Sequence, residues 1–157
     1  MSMREFDLLY QKRPWLPSIE AQTIAFIEAA RAQRSRRPIS LELRWQGTCV
    51  YLRYCANFAV GDELIGEVLV LAMIVVAPRY RGRGWFTRYM QLCYALARDG
   101  LVIESVLHAR LASALTRHFE CTEFQPRNYL LRKRSAADWL HYLPAQPDKR
   151  QDDQPEY

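Results

Sequence analysis

The sequence predicts one domain of mixed α/β (α+β) class, and three observations carry that reading. A chain of 157 residues is long enough for a single domain with its own core. Half of its residues are apolar and a quarter are charged, the balance of a folded globular chain rather than a disordered one. The periodicity changes along the chain, from helical to alternating and then to strand–helix–strand.

The first element is a helix within 17–38, "PSIEAQTIAFIEAARAQRSRRP". Ser18 supplies the cap. Ile19, Thr23, Phe26 and Ala30 recur on one face at helical spacing. Arg31, Arg34, Arg36 and Arg37 gather at its end, where they complement the helix dipole and meet solvent. "SLELRW" then alternates Leu41, Leu43 and Trp45 with Glu42 and Arg44, a strand pattern. Gln46-Gly47 turns the chain into "TCVYLRYC", the second strand. Gly61-Asp62 makes another turn, and an apolar strand follows over 64–76. These three strands form an antiparallel meander.

The second half reads differently. Phe86, Tyr89, Met90, Cys93, Leu96 and Ala97 form a helical stripe, and "RDG" at 98–100 stops it with Gly100 as the terminal residue. "LVIESVL" (101–107) reads as a strand, and "ARLASALTRHF" (109–119) as a helix with Leu111, Leu115 and Phe119 inward. "EFQPRNYLLRK" (123–133) reads as a last strand, with Pro126 at a bulge or edge position. Strand–helix–strand implies a parallel pair with a crossover, so the sheet is mixed and mainly antiparallel. The domain is expected over 1–143, and the polar stretch 144–157 as a disordered tail.

Composition narrows the function classes. A net charge of +5 permits an anionic partner without requiring nucleic acid. Cys49, Cys55, Cys93 and Cys121 have no C-x-x-C spacing, and His108, His118 and His141 are scattered, so neither a metal nor a disulfide framework is expected. The N-terminal residues carry Arg4, Glu5 and Asp7 where a signal peptide would be apolar. The run from Val68 is shorter than the roughly 20 residues of a membrane-spanning helix. A soluble, cytoplasmic protein without a membrane partner is the expectation.

The chemistry concentrates in "APRYRGRGWFTRYM" (77–90), where a turn with four arginines and two glycines joins a buried strand to a helix. The first amides of a helix lack internal acceptors and sit at the positive end of its dipole. Gly82 and Gly84 let a ligand approach the backbone, and Arg81 and Arg83 add charge. Such a turn suits a phosphate or pyrophosphate. It is neither G-x-x-x-x-G-K-[ST] nor G-x-G-x-x-G in a Rossmann setting. The competing reading is a nonspecific RGRG nucleic-acid loop, but such segments are usually repeated and disordered.

The segment "VVAPRYRGRGWF" resembles the V-x-P-x-[YF]-[RQ]-x-x-G-x-[GA] motif of the GNAT superfamily of N-acetyltransferases, with Val76, Pro78, Tyr80, Arg81 and Gly84 at motif positions. The order of elements from about 18 to 133 is also similar. The resemblance implies a splayed central parallel strand pair flanked by helices, and an acyl-CoA co-substrate, by default acetyl-CoA. It implies that backbone amides within Gly82, Arg83, Gly84, Trp85, Phe86 and Thr87 hold the pyrophosphate, with Arg81 nearby. It implies too that Ile74, Val75 and Val76 pair with the pantetheine arm, and that an N–H near Val76 polarises the thioester carbonyl. The activity implied is acyl transfer to a primary amine by direct attack.

Three positions depart from that pattern. Phe86 stands where the motif has a small residue, and a phenyl group either crowds the helix start or points to the core. Thr116 aligns with the tyrosine that protonates the thiolate in many members. Val70 aligns with a glutamate base. Glu104, His108 and Glu67 are further candidates for proton transfer. Their competing readings are an arginine partner for Glu104, a surface place for His108 and solvent exposure for Glu67. Trp45, Tyr51, Tyr54, Trp85 and Tyr129 read mostly as packing. The alternatives to an enzyme are a catalytically degenerate CoA-binding module and a nucleic-acid-associated protein. The amine acceptor is unidentified, small molecule or protein, and the assembly is open to a homodimer.

Overall fold

A computed structural model describes residues 18–133. The expectations for 1–17, for the end of the domain at 134–143 and for the tail at 144–157 lie outside the described residues. The element order is α1 (Ile19–Gln33), β1 (Ile39–Trp45), β2 (Thr48–Val60), β3 (Glu63–Val75), a short 3-10 turn (Pro78–Tyr80), α2 (Trp85–Leu96), β4 (Gly100–Ile103), α3 (Ala109–His118), β5 (Thr122–Gln125) and β6 (Asn128–Arg132). The strands form one six-stranded sheet in the order β1-β2-β3-β4-β6-β5. Among the described strands β3 and β4 alone run parallel; the other pairs are antiparallel.

Ser18 caps α1 by accepting from the Ala21 N–H at 3.1 Å. Ile19, Thr23, Phe26 and Ala30 are buried, as their spacing predicts. Gln46 and Gly47 both take positive φ, 47° and 82°, the pattern of a tight hairpin turn whose twist matches the strands it joins. The main core gathers residues from the three α-helices of the described residues and from one face of the sheet, including Phe26, Ile27, Leu43, Leu52, Leu69, Leu71, Tyr89, Met90, Leu101 and Leu115. A smaller cluster, Cys55, Val68, Val70, Val102 and Leu130, comes from strands alone among the described residues.

Four expectations are corrected. Gly100 does not end α2: the helix closes at Ala97, and Gly100 is the first residue of β4, where a Cβ would lie 3.1 Å from the Leu131 carbonyl oxygen. The strand expected at 101–107 stops at Ile103, because Ser105 takes φ 55° and turns the chain out of the ladder. The single strand expected at 123–133 is a hairpin, with Pro126 and Arg127 (φ 66°) at its turn rather than at a bulge. Arg31 lies in the last turn of α1 as expected but is only partly exposed and is not simply a solvated helix-end charge. It reaches across to Glu67 on β3.

Two devices shape the middle of the sheet. Leu52 pairs with Leu71 but Tyr51 pairs with Met73, so Ala72 is an extra residue on β3, a β-bulge. Leu69 and Leu71 face the main core before it and Ile74 packs against that core after it. The parallel ladder with β4 ends at the same place, at Leu71 opposite Ile103. Beyond that point β4's chain is held by the β5–β6 turn instead. The Ser105 N–H donates to Asn128 Oδ1 at 2.9 Å, and the Val106 N–H to the Arg127 carbonyl at 2.9 Å. β3 runs on to Val75 without a β4 partner, so the two strands part company at their C-terminal ends.

Candidate functional site

The arginine turn sits at that open end. After β3, Ala77 is buried and its N–H donates to Thr48 Oγ1 at 3.2 Å, which ties the strand exit to the β1–β2 hairpin. Arg79 donates to the Gln46 carbonyl at 2.7 Å, and the Tyr80 hydroxyl is hydrogen-bonded to the Gln46 side-chain oxygen. The turn is therefore braced on the same β1–β2 hairpin before α2 begins.

Gly82 and Gly84 both adopt φ 70°, a left-handed conformation that costs a residue with a Cβ about 1–2 kcal/mol. Gly84 is the N-cap of α2, with no side-chain cap. The first bond along the helix runs from the Arg88 N–H to the Gly84 carbonyl at 3.2 Å. Among the described residues, nothing accepts from the N–H groups of Trp85, Phe86 and Thr87. Those amides lie at the positive end of a 12-residue helix. A Cβ built on Gly82 meets nothing within 4 Å, so the space in front of the turn is open.

The arginines are differently engaged. Arg81 donates through Nε to the Val76 carbonyl at 2.8 Å, and Arg88 to the Arg83 carbonyl at 3.0 Å. These contacts stiffen the turn while Arg81, Arg83 and Arg88 stay exposed. Phe86 is half-buried and packs against the main core, which resolves its oddity: the ring points inward and does not crowd the helix start. Trp85 also turns inward. It stacks on Tyr89 with ring centroids 4.8 Å apart and donates to Glu20 Oε1 at 2.8 Å. Tyr89 in turn shares a 2.8 Å hydrogen bond with Thr23. Ile74 packs on the core, whereas Met73 and Val75 are exposed beside the opening.

The expected proton-transfer residues do not come together. Glu67 is 6 % exposed and lies near the start of β3, at the opposite end of the strand from the turn. It accepts from Arg31 Nε to both oxygens (3.1 and 3.2 Å) and from the Tyr54 hydroxyl at 2.9 Å. Burial pushes its pKa up, but the Arg31 and Tyr54 hydrogen bonds outweigh that, so it stays below the usual carboxylate range. It is buried rather than facing solvent, and its carboxylate is engaged by Arg31 and Tyr54. Thr116 is exposed and donates to the Ala112 and Ser113 carbonyls of its own helix (3.2 and 3.1 Å). Glu104 lies just past the last β3–β4 pair, but Arg53 holds it at 3.0 Å. His108 is an exposed residue before α3 and caps nothing with its side chain.

A cleft of about 160 Å³ adjoins the turn on the α1 side, lined by Ile19, Glu20, Trp45, Thr48, Tyr80 and Trp85. The sequence reading places Trp45 and Trp85 in packing and does not single out Glu20. The one local signal is an acid in the first turn of α1, and nothing near it in the chain links it to a tryptophan 65 residues away.

The described residues bring no three metal-ligating side chains together, and none of their helices is long and apolar enough to cross a membrane. Compared with known proteins, the chain matches no family model and no curated protein.

Proposed function

We propose that the chain is an acyl-CoA-dependent N-acyltransferase that moves an acyl group, acetyl by default, to a primary amine. One juxtaposition carries the reading. A glycine-built helix start with unsatisfied amides lies directly after the strand that loses its parallel partner at Leu71 and Ile103. The helix start suits a pyrophosphate. The unpaired edge of β3 suits an extended arm that adds to it like a strand.

In this reading the amides of 82–87 bind the pyrophosphate, with Arg81 and Arg83 at its rim. Ile74, Val75 and Val76 run beside the pantetheine arm, and the thioester lies where the strands diverge. A backbone N–H near Val76 stabilises charge developing on the carbonyl oxygen. The amine nitrogen attacks the carbonyl carbon, the C–S bond breaks, and the leaving thiolate takes a proton. A free alkylamine has a pKa of about 10.4, so it must arrive as the neutral minority or lose its proton on binding. The thiol's pKa of about 8.5 makes the thiolate a tolerable leaving group, and positioning supplies most of the rate. The test is thiol release from acetyl-CoA across a panel of amines, with the acylated product identified by mass.

The engagement of Glu67, Glu104 and Thr116 favours a second reading, a CoA-binding module without catalysis. It predicts saturable CoA binding and no thiol release with any amine in that panel. A nucleic-acid surface is less well supported. Arg34, Arg36 and Arg37 are exposed beyond the C-terminal end of α1, while Glu20 and Trp85 join its N-terminal end to the turn. The 15-residue helix keeps those two basic regions about 20 Å apart.

A further inference from the structure

The cleft beside the turn has its own chemistry. Trp45, Tyr80 and Trp85 contribute aromatic surface, Ile19 an aliphatic wall, and Glu20 the carboxylate, the one acidic side chain among its lining residues. Aromatic faces attract a cation through their quadrupole, and a carboxylate adds a full charge. Trp45, Trp85 and Glu20 are each half-buried, so the cleft is open to solvent. The Trp85 indole N–H fixes Glu20 Oε1 at 2.8 Å, and no other bond to that carboxylate is found among the described residues. Trp85 is itself held flat, stacked at 9° on Tyr89. The carboxylate and the ring are therefore set in place before any ligand arrives.

The neighbouring cations leave room for a positive guest. Arg79 lies over the Tyr80 ring, 5.0 Å from its centroid, and donates to Gln46. Arg81 is drawn to the Val76 carbonyl. Neither lines the cleft. At about 160 Å³ it is smaller than the roughly 300–1,000 Å³ of a pocket that encloses a drug-sized ligand. It fits a head group. An acid in a first helical turn is ordinarily explained by the helix dipole alone. Here the same acid is also oriented by an indole seated on the core side and shares the cleft lining with Trp45 and Trp85.

We infer that the cleft formed by Glu20, Trp45, Tyr80 and Trp85 binds a small alkylammonium group, the non-reacting cationic end of an acceptor that carries two amines. The acceptor role rests on the acyltransferase reading, while the ammonium site stands on its own geometry. The cleft opens at the same end of the sheet as the β3–β4 divergence. Thr48 and Tyr80 line it and also brace the exit of β3, so a guest held there lies beside the strand end.

The test titrates the full chain with tetramethylammonium chloride and follows tryptophan fluorescence. Sodium chloride at matched ionic strength and tert-butanol, a neutral group of similar shape, are the controls. Saturable quenching by tetramethylammonium alone is expected, weakened about tenfold or more in Glu20→Gln. The amide oxygen introduced by that substitution can still accept from Trp85, so the ring stays seated while the charge is lost. A second variant, Trp45→Leu, is expected to lose the response as well. A response equal to that of sodium chloride or tert-butanol would overturn the inference, as would full affinity in a folded Glu20→Gln. CoA-induced thermal stabilisation is measured on the same samples. If it is absent while tetramethylammonium binds, the acyltransferase reading fails and the ammonium site remains. If it is present while tetramethylammonium fails to bind, the reverse holds.

Discussion

Leu71 on β3 and Ile103 on β4 are the last residues of the two strands to face one another. One more bond, from the Glu104 N–H to the Leu71 carbonyl at 3.0 Å, closes the ladder. Ser105 and Val106 then bond to Asn128 and Arg127, while β3 absorbs Ala72 as a bulge and continues. The opening is therefore built by two causes, a bulge on one strand and a competing partner for the other. If Asn128 holds the opening, Asn128→Ala should change acyl-CoA affinity or turnover while lowering stability by about 1–2 kcal/mol, since its side chain accepts from the Ser105 N–H and donates to Gln125 Oε1. Unchanged kinetics in the folded variant would deny Asn128 that role.

The helix-start cradle makes a separable prediction. Gly84→Ala places a Cβ on a residue at φ 70°, 3.4 Å from Arg88. It should cost about 1–2 kcal/mol of stability and weaken CoA binding by about tenfold or more, because the amides shift. Gly82→Ala has open space around its Cβ and carries the backbone strain alone. Arg83→Ala should weaken CoA less than Gly84→Ala, and its effect should shrink as salt rises. Isothermal titration of the three variants ranks them. A larger loss from Arg83→Ala would mean that charge rather than backbone geometry holds the ligand.

Arg31 and Glu67 should behave as a stability element. Breaking a buried pair by removing one partner costs about 3–5 kcal/mol, and Arg31 is partly exposed, so Arg31→Ala should lie at the lower end of that range. Glu67's folded pKa lies below the unfolded value. Its contribution is thus fully present above the ordinary carboxylate pKa of about 4.3 and is lost as pH falls through the lower folded value. Denaturant melts from pH 7 down to pH 3 should show wild type losing more stability in the acid range than Glu67→Gln. Parallel curves for the two would contradict this.

The cysteines offer a chemical check on burial. Burial pushes the Cys93 and Cys121 thiols up to about 12, and raises Cys55 as well. Cys49 is half-buried, with its pKa raised by burial and then by Glu42. Native alkylation at pH 8 should be slow and confined to Cys49, and all four thiols should react in urea. Rapid native modification of Cys93 or Cys121 would contradict the packing around α2 and α3.

The local parts of this fold are legible in the sequence. Ser18, the Ile19–Thr23–Phe26–Ala30 stripe and the Gln46-Gly47 turn are all written within a few residues of where they act. What escapes it is long-range. Arg31 is indistinguishable from Arg34 by position, and only the tertiary fold sets Glu67 and Tyr54 within its reach. The early end of β4 depends on the positive φ of Ser105, which a β-favouring "LVIESVL" conceals. The β5–β6 hairpin lies closer to the surface of the sequence, since Pro126 followed by Arg127 and Asn128 is turn chemistry. At the site, the glycines and the motif around Arg81 announce the turn. The Glu20–Trp85 bond that builds its neighbouring cleft spans 65 residues and leaves no local mark.

If the amides at the start of α2 hold a pyrophosphate, calorimetric titration of CoA against pantetheine should show it. Pantetheine keeps the arm and the thiol but lacks the pyrophosphate. CoA should bind in the micromolar range, about −8 kcal/mol, with pantetheine at least about tenfold weaker and Gly84→Ala erasing most of the difference. Equal affinities for the two ligands, or no binding of CoA, would contradict a pyrophosphate cradle at Gly82 and Gly84.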